Sequence, residues 1–169
     1  IWKLLKHYTT PDRATIHFEL GTKAALTTTL DGIHIGGAAG KHAIILNVNT
    51  VTKGFVEGSN NHYVGLVINK LATGGNNVQY IDPMSHASNP EILALVSSKL
   101  GLGVDQEISE YAGRLQFANI RRTSGSAAAV EVVEGNDVDC GVMLAYLMTL
   151  AVHDTELPLL PSSHDSVWL

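Results

Sequence analysis

Of the 169 residues only one is cysteine, Cys140, so the chain has no intrachain disulfide to rely on. The lone thiol is left as a buried side chain, a reactive group or an intermolecular link. Charge is also sparse: 16% of residues are charged, 11 basic against 16 acidic, for a formal net charge of −5. No basic run exceeds Arg121 and Arg122. Phosphate neutralisation needs a clustered basic face, so nucleic acid is disfavoured as a partner. No apolar stretch reaches the roughly 18 residues a spanning helix requires, so no membrane contact is inferred. The His, Cys and carboxylate spacing of a zinc or iron site is absent, and neither a metal nor another cofactor is expected. What is present is a globular composition, 45% apolar, which excludes a disordered chain. The length suits one domain, residues 1–169, able to bury its own core without a covalent staple. Opening at Ile1 without a signal-like segment, it is expected to be a piece excised from a longer protein.

The pattern along the chain is uneven. Residues 1–8 are consistent with a short helix. Residues 14–29 mix the alternation of Ile16, Phe18 and Leu20 with a helix-permissive stretch around Lys23. Residues 32–40, GIHIGGAAG, read as a flexible loop. They are not a phosphate loop: three residues, not four, separate Gly36 from Gly40, and His42 stands where Ser or Thr should hold magnesium. Beyond Lys41 the signal sharpens. Residues 43–49 (AIILNVN), 63–69 (YVGLVIN) and 78–81 (VQYI) predict strands, with a turn at 58–61 and a hairpin signal at 72–77. Asp82 and Pro83 stop the third strand. Asn89 and Pro90 open a helix over 90–100, closed by Gly101. Residues 115–121 and 127–133 predict two more strands, 134–139 a loop, and 140–152 a buried, nearly all-apolar helix. The tail, 157–169, with two prolines, is expected to wrap the surface. The element order predicts an α+β protein, and function must come from its site.

Three residues stand at element ends: His62 before the second strand, Asp82 after the third, and Cys140 at the start of the apolar helix. Unpaired amides and the positive end of the dipole at a helix N-terminus stabilise a thiolate, and a nearby imidazolium adds to this. If the second and third strands pair as a hairpin, His62 and Asp82 meet at one sheet edge. There the carboxylate fixes the imidazole tautomer and steadies its charged form. Each residue also has a plain structural role: a buried thiol, a surface histidine, and a turn-forming Asp-Pro. Asp139 reads as the N-cap of the apolar helix. Trp2 and Trp168 read as packing residues.

Taken in order, the strings NHYVGLVI, VQYIDPMSH and NDVDCGVMLAYLM resemble the His, Asp and Cys blocks of the clan CE cysteine proteases. This group comprises the ubiquitin- and SUMO-like-protein proteases, with many bacterial effector deubiquitinases among them. The resemblance spans about residues 41–153 and leaves the first forty as a region that often contributes to substrate recognition in this family. It implies a papain-related fold: a central, mostly antiparallel mixed sheet with the nucleophile on a buried helix. It implies Cys140 as nucleophile, His62 as general base and Asp82 as the orienting acid, with Tyr63 and Gly141 lining the substrate channel. Tyr63 stands where the family usually has Trp. Glu134, six residues before Cys140, stands where the family usually has an oxyanion-binding Gln, so it would serve only if protonated. Asn136 matches a loop Asn of the family and, with the Cys140 amide, is the other oxyanion candidate.

The implied activity is that of a thiol isopeptidase cleaving ubiquitin, or a ubiquitin-like modifier, after its C-terminal glycine. Its place would be a reducing cytosol, into which it would be delivered as part of a larger effector. Two alternatives stay open. Glu134 in the Gln position is compatible with a catalytically weak or dead ubiquitin-binding module. An acetyltransferase effector of the same clan would use the same Cys–His pair, although those enzymes typically carry Glu where Asp82 stands.

Overall fold

The computed structural model describes Leu5 and residues 13–36, 39–56, 61–83, 87–103, 108–111, 119–122, 130–133 and 140–157. At residues 18–20, 61, 119–122, 130–133, 140 and 142 the description is of the backbone alone. In chain order the elements are β1 (Thr15–Leu20), α1 (Lys23–Gly36), β2 (Gly40–Asn49), β3 (Asn61–Lys70), β4 (Asn76–Ile81), α2 (Pro90–Leu100), β5 (Ser109–Glu110), β6 (Asn119–Arg122), β7 (Val130–Val133) and α3 (Cys140–Val152).

The expected strands at 43–49, 63–69 and 78–81 are the centre of the molecule, each a few residues longer than its apolar run. β2 and β3 pair antiparallel along their whole length, from Gly40 opposite Lys70 to Asn49 opposite Asn61. A tight turn then returns the chain: Gly74 takes φ +95, Leu71 donates to the Gly75 carbonyl, and β4 pairs antiparallel with β3. Parallel partners complete the sheet, β1 beside β2 and the two-residue β5 beside β4, in the order β1-β2-β3-β4-β5. β6 and β7 form a separate antiparallel pair. They coincide with parts of the expected strands at 115–121 and 127–133; the remainder of those ranges lies outside the described residues.

Both faces of the sheet are covered, which is why β2 and β3 read as continuous apolar runs and not as alternating ones. Ile44, Leu46, Val48, Val64, Leu66 and Ile68 turn to one face, against Leu26, Leu30 and Ile33 of α1 and Ile92, Val96 and Leu100 of α2. Ala43, Ile45, Val67 and Ile81 turn to the other, against Met143, Leu144, Leu147 and Met148 of α3. Helix α2 has the boundaries its caps predict. Asn89 Oδ1 accepts from the Glu91 amide at 2.9 Å, and Gly101, at φ +62, lets the Leu102 amide reach the Ser97 carbonyl at 3.0 Å.

The glycine-rich segment corrects the sequence expectation. Residues 32–36 are the last turn of α1 and not a loop, and β2 begins already at Gly40. Leu26, Leu30 and Ile33 form a buried stripe at helical spacing, whereas a Cβ added at Gly32 or Gly36 would meet nothing. Packing on one face therefore outweighs the roughly 1 kcal/mol each glycine costs on the other. The ambiguity over 14–29 resolves into β1 followed by α1. The readings of 1–8 and of the tail fall, apart from Leu5 and Leu157, outside the described residues.

Candidate active site

The β3–β4 hairpin brings two of the singled-out residues together. Gly65 faces Ile81 across the ladder, so the start of β3 and the end of β4 share one end of the sheet. There His62 Nε2 and Asp82 Oδ1 lie 2.9 Å apart, with side chains 5% and 2% exposed. A carboxylate at this distance from an imidazole orients the ring. Nε2 is the ring nitrogen that faces Asp82. Tyr80, two residues before Asp82, has its phenol oxygen buried without a hydrogen-bond partner among the described residues. Burial, then the carboxylates of Asp82 and Glu110, push that phenol above its ordinary range.

The third residue approaches along α3. At the far end of the sheet Lys41, in β2, donates from Nζ to the Val152 carbonyl at 2.8 Å and pairs with Asp154 at 2.5 Å. The C-terminus of α3 is therefore anchored beside the start of β2 and the end of β3. Midway, the helix rests on Gly65: a Cβ there would stand 2.6 Å from Met148 Sδ and 3.0 Å from Leu144 Cδ1. The absence of a side chain at Gly65 permits this close approach. The N-terminus of α3, at Cys140, consequently points to the end of the sheet that holds His62 and Asp82. By strand alternation His62 lies on the α1/α2 face, with Val48 and Val64, while α3 covers the other. The β2–β3 ladder stops one register pair beyond His62.

Tyr63 is partly buried against the α3-face cluster, and Gly141 is buried in the first turn of α3. Glu134 and Asn136, the oxyanion candidates, and the capping position Asp139 lie outside the described residues. The loop after β2 is braced at this end: Asn49 Oδ1 accepts from the amides of Val51 and Thr52, and Asn89 Nδ2 donates to the Thr52 carbonyl.

Two features escaped the sequence reading. Asn47, directly opposite Tyr63, has a buried side-chain oxygen with no partner among the described residues. Its signal was an amide at an inward position of an otherwise apolar strand. His17 and His42, apart in sequence, stack with ring centroids 5.5 Å apart, Nε2 to Nδ1 3.3 Å. Only the parallel pairing of β1 and β2, invisible in local pattern, brings them together. Among the described residues no three His, Cys, Asp or Glu side chains are grouped to hold a metal ion.

No family model matches the sequence, and no curated protein matches it. Solved structures do resemble it. The Legionella pneumophila effector protein RavZ aligns at TM-score 0.50 and 12% identity, over 93% of this chain and 45% of that one. The Xanthomonas campestris effector protein XopD, in a structure bound to ubiquitin, aligns at TM-score 0.43 and 15% identity, over 90% of this chain and 74% of that one. The chain thus spans less than half the length of RavZ, and at such identity the likeness concerns architecture alone. That architecture is the α+β fold expected from the sequence: a five-stranded mixed sheet with helices on both faces.

Proposed function

We propose that the chain is a cysteine protease domain acting on ubiquitin or a ubiquitin-like protein, with Cys140, His62 and Asp82 as its catalytic residues. The observation that carries this reading is the buried His62–Asp82 pair at the end of the sheet toward which the Cys140 end of α3 points. Asp82 holds Nε2, so His62 Nδ1 takes the thiol proton, and the α3 N-terminus steadies the resulting thiolate. Cys140 Sγ attacks the carbonyl carbon of the substrate's C-terminal glycine. The imidazolium returns its proton to the departing lysine amine as the isopeptide bond breaks, leaving a thioester. Water, deprotonated by His62, then hydrolyses the thioester and restores the thiol.

The backbone amide of Cys140 serves the oxyanion together with Asn136 or a protonated Glu134. Loss of one side-chain donor costs on the order of a hundredfold in rate, so the enzyme is expected to be slow but active. Ubiquitin is the favoured substrate over SUMO and NEDD8. The reducing cytosol of a host, reached as part of a larger effector, is the proposed setting. Residues 1–40 are proposed to help recognise the substrate and 41–153 to form the catalytic core of a single domain.

A panel of ubiquitin, SUMO and NEDD8 probes, each ending in a C-terminal electrophile, tests this. Covalent capture lost in Cys140→Ala and in His62→Ala is the expected result. Binding without capture points to a non-catalytic ubiquitin-binding module, which Glu134 in the Gln position keeps as the second reading. Labelling by acetyl-CoA with no probe capture overturns the protease.

A further inference from the structure

Asn47 interrupts the apolar run of β2 at a place that calls for a reason. Its Oδ1 is buried with no hydrogen-bond partner among the described residues, a costly arrangement that folded proteins seldom keep without use. Alternation with Ala43 and Ile45 puts Asn47 on the α3 face, and the antiparallel register sets it directly opposite Tyr63 on that same face. Ile45 and Gly65 are the neighbouring pair on this face, and Gly65 meets α3 at Leu144 and Met148. Two residues further along a strand is roughly 7 Å, which on a helix corresponds to about four or five residues. The Asn47–Tyr63 pair therefore lies level with the first turn of α3, where Cys140 and the buried Gly141 stand.

We infer that Asn47 is a ligand-positioning residue, whose primary amide hydrogen-bonds the main chain of an extended peptide segment lying beside Tyr63 and the start of α3. An extended backbone offers N–H and C=O groups in alternation, and a primary amide is complementary to both. Its buried oxygen accepts from a peptide N–H while its nitrogen donates to a carbonyl. Tyr63 gives the same segment an apolar wall. Small residues suit such a place, because the strand–helix gap is already narrow at Gly65.

This inference rests on the protease reading for the identity of the segment, the tail that ends in the scissile glycine, but its test does not need turnover. Binding of a synthetic peptide ending in Gly-Gly to Cys140→Ala protein is measured by calorimetry, with and without Asn47→Leu, a near-isosteric change. Asn47→Leu is expected to weaken binding about tenfold, the worth of one or two hydrogen bonds. It should also raise the melting temperature or leave it unchanged, since it removes an unsatisfied buried group. In the otherwise native protein, Asn47→Leu is expected to raise KM for a ubiquitin substrate more than it lowers kcat. Equal peptide affinity with and without Asn47 overturns the inference, as does absence of peptide binding to the Cys140→Ala protein. Peptide binding that depends on Asn47, with no probe capture by the native protein, supports the inference and sinks the protease reading alone.

Discussion

At the scale of single residues the site depends on one buried contact. Asp82→Asn preserves the shape of the His62 partner but removes the charge that favours the imidazolium and fixes its tautomer. Turnover is expected to fall on the order of a thousandfold or more, with the melting temperature shifted by only a few degrees, measured by probe-capture kinetics and thermal unfolding on the same preparation. His62 and Asp82 were legible in the sequence because each closes or opens an apolar run, and a glycine hairpin between two strands dictates that their outer ends meet. Asn47 was not. Its neighbours identify a strand, but only the register with Tyr63 and the seat of α3 on Gly65 reveal which face the amide occupies. Cys140 stands at the first position of the apolar helix, where the sequence places it.

Elements respond differently from residues. Helix α1 was misread in its last turn because local composition favours a loop there, whereas the stripe of Leu26, Leu30 and Ile33 acts only once the sheet exists to receive it. Gly32 is exposed with open space around it, so Gly32→Ala is expected to stabilise the protein by about 1 kcal/mol, read from denaturant midpoints at unchanged slope. The β1–β2 pairing carries a pH dependence. Burial lowers the pKa of His17, and burial, His17 and Lys70 lower that of His42, below the ordinary 6.5. In the unfolded chain both take up protons near 6.5, while in the folded chain they resist until lower pH. Stability is therefore full above pH 6.5 and is lost as pH falls from there toward the folded values. Thermal unfolding from pH 7.5 to 5.0 should show this decline, and His17→Asn with His42→Asn should flatten it relative to the native protein. These two histidines come from strands that are adjacent in space and distant in sequence, which is why no local pattern announced them.

Among the described residues the five-stranded sheet is held between unequal layers, and only part of that was visible beforehand. Unbroken apolar runs in β2 and β3 imply burial on both faces, but not which helix takes which face, since α1, α2 and α3 all carry apolar surfaces. Gly65 settles the seat of α3. Gly65→Val would force Leu144 and Met148 aside and is expected to cost about 1–3 kcal/mol, with probe capture reduced beyond what the lost stability explains. The anchor at the other end of α3 has a further consequence. Thirteen residues of helix make a rod roughly 20 Å long, pivoted where Lys41 grips Val152 and Asp154. A tilt of only about 3° at that pivot carries the far tip about 1 Å, a displacement that can cost a catalytic centre about a hundredfold. Lys41→Ala is therefore expected to depress the rate of thiol capture more than the melting temperature. In mechanical terms α3 is a lever: the lysine holds one end still, and the position of the Cys140 backbone is set a whole helix length away.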